Sequence, residues 1–181
     1  MKRTLLSTVA AVAVTMLLAT SASAQFQVGP YAGLCFDGTE ILVGGQARIP
    51  VGAEIAGMPI MAKPGIEFYP FLDSDLGTGV DYSLFVVNLD AVVPIDLSES
   101  LDAYAGAGLY VARSSISIDT AYEGYDFDDS DTSIGLNIVG GATFGDDSKS
   151  LVPFAEAVLA IGDGGDGFSV RGGVLFSLGG K

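Results

Sequence analysis

The feature that most restricts the fold of this chain is a two-residue alternation of apolar and polar side chains. It recurs in eight segments, at 26–36, 41–52, 59–72, 80–95, 101–118, 132–145, 150–161 and 166–178. Period two sends successive side chains to opposite faces of a strand, whereas an amphipathic helix would repeat every 3.6 residues. In the first segment Phe26, Val28, Pro30, Ala32 and Leu34 share one face and Gln27, Gly29, Tyr31 and Gly33 the other. In the third, Ile60, Ala62, Pro64, Ile66 and Phe68 oppose Met61, Lys63, Gly65, Glu67 and Tyr69. The fourth is less regular, because Leu84 and Val86 fall on the face that carries Asn88 and Asp90. Polar breaks about every twenty residues predict a succession of hairpins, hence an all-β chain.

The segment before this pattern has another character. Lys2 and Arg3 precede the apolar run Leu5 to Leu18, and Ser21-Ala22-Ser23-Ala24 closes it with small residues before Gln25. That order is the one read by the secretion machinery, so residues 1–24 are expected to be a cleaved signal peptide and 25–181 the folded domain. The run is too short for a bilayer-spanning helix, which needs roughly 20 apolar residues. After residue 24 no helix-length apolar stretch occurs, but the segments suit spanning strands of about ten residues.

Composition narrows the function. The chain has no His, which excludes Ser-His-Asp and Cys-His nucleophile systems and His-ligated zinc or haem. With 8 Lys+Arg against 22 Asp+Glu the net charge is −14, so no basis for nucleic-acid binding exists. The single Cys35 cannot form an internal disulfide, and no cofactor is expected. Loss of residues 1–24 removes Lys2 and Arg3 and no acid, which makes the remaining chain −16. Histidine-dependent envelope enzymes are therefore out, and a carboxylate pair such as Glu67 with Glu156 would sit in a lumen too narrow for substrate, so the chain is read as a non-enzyme.

Charge placement then separates a barrel from a soluble sandwich. The polar face carries Arg48, Lys63 and Arg171 against Glu67, Asp90 and Glu156, three of each sign in a strongly acidic protein. Such balance predicts a lumenal ion-pair network filling a narrow closed barrel rather than a solvated face. With both ends on the inner side, the odd connections carry thirteen of the remaining acids and the even ones six. None falls in the middle of an apolar stripe, where a charge would cost a few kcal/mol in lipid. An even strand count, one long fifth connection and short turns predict an eight-stranded antiparallel up-and-down transmembrane β-barrel.

Leu101-Asp-Ala-Tyr-Ala-Gly-Ala-Gly-Leu-Tyr110 and Thr132-Ser-Ile-Gly-Leu-Asn-Ile-Val-Gly-Gly141 resemble the paired glycine-rich strands of the small outer-membrane β-barrel family that includes the OmpA transmembrane domain, OmpX and OmpW. The resemblance spans the chain after residue 24. It implies a monomer in the outer membrane of a Gram-negative-type cell, with outer-membrane lipid and the barrel assembly machinery as partners. Members usually end in an aromatic residue that the machinery reads; here Phe176 lies in the outward stripe and Leu178-Gly-Gly-Lys181 follows it. With no Trp, the aromatic girdle is expected from Phe26, Phe36, Phe68, Tyr82, Phe85, Phe144, Phe168 and Phe176.

The remaining candidate is an acidic extracellular loop, Tyr122 to Asp131, whose Glu123, Asp126, Asp128, Asp129 and Asp131 offer carboxylates to a cation. Read as an EF-hand from Asp126 it has Asp131 where glycine belongs and Asn137 where the bidentate glutamate belongs, so it is a weak cation site. Three functions stay open on the sequence: a structural barrel making surface contacts, a narrow cation-preferring channel, and a soluble secreted or periplasmic lipocalin-like carrier whose apolar stripe would face inward.

Overall fold

The computed structural model describes residues 26–38, 40–70, 80–98, 100–118, 127–145, 150–163 and 165–178. Eight strands follow one another: β1 (Phe26–Cys35), β2 (Glu40–Ile55), β3 (Met58–Phe68), β4 (Val80–Ser98), β5 (Leu101–Ile118), β6 (Phe127–Phe144), β7 (Leu151–Gly162) and β8 (Gly167–Leu178). Each pairs antiparallel with the next, and β8 returns to β1 through pairs such as Phe26↔Leu178 and Leu34↔Val170, so the sheet closes into a barrel. Closure leaves no open sheet edge around the ring, the condition for placing strands in hydrocarbon.

The connections lie at two ends of the barrel. β2–β3, β4–β5 and β6–β7 turn at one end, the short-turn end; the other four connections lie at the long-connection end. The β2–β3 turn is Ala56-Gly57 between the paired Ile55 and Met58, with φ of 51° and 79°. Positive φ at both central residues gives the turn a twist that matches the strands it joins.

Alternation orients the faces. Large apolar side chains stand outward all round the ring, among them Leu34, Ile66, Leu89, Leu109, Leu136, Ile138 and Val170. Inward, Gln27, Arg48, Lys63, Glu67, Asp90, Asn137, Glu156 and Arg171 are buried. The apolar surface is therefore the outside of the molecule, the inverse of a soluble fold, and of the carrier reading in particular.

Several strand limits differ from the sequence reading. β2 runs on to Ile55 past a register shift between Pro50 and Glu54, where three residues of β2 stand against one of β3 and delay the turn. β3 ends at Phe68 rather than 72. β6 begins at Phe127, not 132, because its acidic residues pair along β5, Asp129↔Ile116 and Asp131↔Ser114 among them. Leu84 and Val86 do face inward with Asn88 and Asp90, and they pack with Tyr31, Leu42 and Tyr110 in an apolar plug near the long-connection end. Tyr82 lines the cavity at that end, so it is not part of the outward girdle. The N-terminal 25 residues lie outside the described residues.

Candidate functional site

The centre of the lumen is a layer of charge held by four strands. Lys63 of β3 sits between Glu156 of β7, 2.8 Å from both carboxylate oxygens, and Asp90 of β4 at 3.2 Å. Arg171 of β8 reaches Glu67 of β3 at 2.7 Å and Glu156 at 3.6 Å. Their side chains are all no more than 6% exposed.

Neutral donors complete the layer. Tyr31 and Tyr69 donate to Glu67 at 3.2 and 3.4 Å, Tyr104 donates to Glu156 at 3.0 Å, and the Asn88 amide also donates to Glu67. Asn137 of β6 spans Asn88 and Asp90 at 2.9 and 3.1 Å. Burying a charge is tolerated only when it is paired and its remaining lone pairs are satisfied, and this layer does both for Glu67 and Glu156.

Arg48 of β2 behaves differently. It is 5% exposed, yet it forms none of these ion pairs. Its guanidinium lies 4.1 Å from the centre of the Tyr104 ring and 5.5 Å from that of Phe154. Cation–π stacking on two rings replaces the carboxylate expected of it. Of the six lumenal charges named from the sequence, the structure thus links five directly by ion pairs and sets Arg48 below them.

The layer divides the interior. A cavity of about 420 Å³ opens toward the long connections and has Glu67, Asn88, Asn137 and Arg171 on its floor. A second, of about 160 Å³, lies toward the short turns beside Arg48, Met61 and Tyr104. They share no lining residue, and Lys63, Asp90 and Glu156 border neither. Among the described residues the charged layer separates the two cavities.

Sequence reasoning missed what positions the tyrosines. Each of three lumenal tyrosines lies over a glycine directly across the ladder: Tyr31 over Gly44, Tyr104 over Gly141 and Tyr110 over Gly135. A Cβ on Gly141 would sit 2.4 Å from the Tyr104 hydroxyl and 2.7 Å from the Ala155 carbonyl oxygen. The glycines in LDAYAGAGLY and its neighbours therefore make room for rings, and a cross-strand Tyr–Gly register is the signal that would have found them. Gly141→Val is expected to push Tyr104 off both Glu156 and Arg48 and to cost about 1–3 kcal/mol, read as an earlier urea midpoint.

The acidic segment of the sequence divides. Glu123 and Asp126 lie outside the described residues, while Asp128, Asp129 and Asp131 belong to β6, with Asp129 and Asp131 exposed. Among the described residues no group of three potential ligands is placed to hold a metal ion.

Comparison with known proteins gives a fold. No family model and no curated protein matches the chain. Among solved structures it is similar to the N-terminal β-barrel domain of Pseudomonas aeruginosa OprF, at 16% identity and a TM-score of 0.60 over 87% of this chain and 100% of that one. Ail, the attachment invasion locus protein of Yersinia pestis, matches at 13% identity and 0.59 over 88% and 100%. Neisserial surface protein A matches at 16% and 0.57 over 86% and 96%. The fold is that of the small outer-membrane β-barrels.

Proposed function

We propose that this chain is an outer-membrane barrel whose role is structural and adhesive: an anchored cylinder, exported by its N-terminal segment, that presents an acidic face outside the cell. The observation that carries this reading is the pairing of an outward apolar belt with a lumen sealed by Lys63, Asp90, Glu156, Arg171 and Glu67. A protein whose apolar surface is on its outside needs lipid, and one without a through-pore gains little from spanning the membrane except attachment. The long-connection end faces outward and carries exposed Asp37, Asp129, Asp131, Asp163 and Asp166.

The sign of that end selects the partner class. Ail has been solved in complex with the heparin analogue sucrose octasulfate, a polyanion. An acidic rim repels such a ligand and favours cationic surfaces instead. Loop contacts are therefore assigned to basic partners.

The test is to separate the envelope from the soluble fraction and run the extracted protein on SDS gels with and without boiling. A membrane-bound protein whose mobility shifts on heating is the expected result; a soluble protein without the shift overturns the reading. The channel alternative draws on the two facing cavities, and it requires the charged layer to open. Planar bilayers are expected to stay silent, and reproducible cation-selective steps would move the channel to first place.

A further inference from the structure

We infer that the cavity at the short-turn end is a binding site for a small zwitterion, a linear ω-amino acid whose carboxylate is taken by Arg48 and whose ammonium is taken by Asp96 and Asp102. The inference goes beyond the surface-contact role just proposed and concerns the opposite end of the barrel. It starts from a buried cation whose hydrogens are unused. Arg48 is 5% exposed, and its Nε and Nη2 have no hydrogen-bond acceptor among the described residues. The stack on Tyr104 and Phe154 does not supply one, because a ring meets the face of the guanidinium while the N–H bonds lie in its plane. A buried charged donor left without an acceptor is costly, and such a group marks a place where a further molecule completes the pairing.

The unused atoms have a shape. Nε and Nη2 are the two nitrogens along one side of the guanidinium, and their parallel N–H bonds match the two oxygens of a carboxylate. Arg48 is itself part of the cavity wall, with Tyr104 beside it. The edge that the chain leaves free is therefore one that grips a bidentate anion, on a side chain that borders the space in which the anion fits. Space of about 150 Å³ holds a benzene-sized molecule, so the 160 Å³ here sets the ligand at roughly seven non-hydrogen atoms.

The acids of the same cavity decide which anion. Asp96 and Asp102 line it as well, and they pair directly across the β4–β5 ladder. Like charges so placed repel each other and any second negative charge that enters. A phosphate dianion is disfavoured on that ground, whereas a monoanion that also carries an ammonium relieves the repulsion. Strand register sets the spacing between the two charges. Asp102 lies two residues beyond Tyr104 on β5, and Asp96 two beyond Pro94, the residue paired with Tyr104. Two residues advance a strand by about 7 Å, so the acids stand one such step from the ring on which the guanidinium is stacked. Met61, Val92 and Pro94 give the cavity an apolar wall that suits a methylene spacer. An α-amino acid holds its charges too close together for this step; 4-aminobutyrate, with a short methylene chain between them, spans it.

The experiment uses the folded protein in detergent micelles, with the heat shift on gels checked first for each variant. 4-Aminobutyrate, butyrate and inorganic phosphate are titrated in turn, with the Arg48 Nε–H proton followed by NMR and affinity measured by calorimetry. 4-Aminobutyrate is expected to saturate, to move the Arg48 Nε–H resonance downfield, and to bind roughly tenfold tighter than butyrate. Arg48→Lys keeps the cation and loses the fork, and is expected to weaken binding roughly tenfold. Asp96→Asn is expected to narrow the preference for 4-aminobutyrate over butyrate. The inference is overturned by the absence of a saturable shift, by affinity unchanged in Arg48→Lys, or by phosphate bound as tightly as 4-aminobutyrate. Where Arg48→Lys yields no heat-shifting protein, Asp96→Asn decides, since a preference that it leaves unchanged overturns the inference as well.

Discussion

Lys63→Met is expected to lower the unfolding free energy in lipid vesicles by about 3–5 kcal/mol, because it strips the cation from two buried carboxylates at once. Glu156 loses its 2.8 Å partner and Asp90 its 3.2 Å partner, in a layer where both side chains have no exposed surface. Glu156 keeps Arg171 at 3.6 Å and the Tyr104 hydroxyl; for Asp90 the remaining contact is the Asn137 amide. Adding Asp90→Asn should therefore restore more than half of the loss, since the second change removes the stranded charge. The chain has no Trp, so unfolding in urea is best followed by circular dichroism. A loss below 1 kcal/mol for Lys63→Met would mean that water or a rearranged Arg171 reaches the layer, and the sealed-lumen argument would fall with it.

On the other face, Ile138→Arg is expected to cost about 2–4 kcal/mol, the range for a cation near the middle of the hydrocarbon. Ile138 stands 53% exposed, midway along the outward stripe of β6 and beside Leu136. The same replacement at Ser130, further along that stripe and beyond the level of Phe68 and Phe85, should change stability little. The contrast between the two sites is the measurement. Equal costs at both would show that β6 is not threaded through a bilayer in this register.

The outward stripes were legible because lipid imposes a strict rule: a chain whose outer face must be apolar for ten residues cannot hide its period. Lys63, Glu67, Asp90, Glu156 and Arg171 were legible for the complementary reason, that a charge in alternation with such a stripe has only the lumen to go to. Arg48 was assigned to the same network on that logic, and it stacks on Tyr104 instead, since period two gives the face and not the height at which a side chain meets its neighbours. The start of β6 was hidden because Asp128, Asp129 and Asp131 look like loop residues. A strand that projects past the membrane on the support of one neighbour needs no apolar face. Val152, Phe154, Val158 and Leu175 were missed as well, because an apolar residue pointing into the barrel is indistinguishable in sequence from an irregular stripe.

The seam between β1 and β8 carries a consequence for how the molecule is made. Phe26 and Leu178, which pair across it, are the first and last residues of the ring, so the ring cannot shut until nearly the whole chain has been supplied. Any shorter piece would leave two rows of bare amides in oil, at several kcal/mol for each unsatisfied group. Partly inserted forms are thus excluded by energy, and insertion and closure become one event. Its speed is governed by how readily the bilayer yields, and thin or defect-rich lipid should accept the chain where thick lipid holds it at the surface. The two ends that meet at the seam also make the order of the strands arbitrary: joined by a short linker and cut at the Ala56-Gly57 turn, the same cylinder should still close.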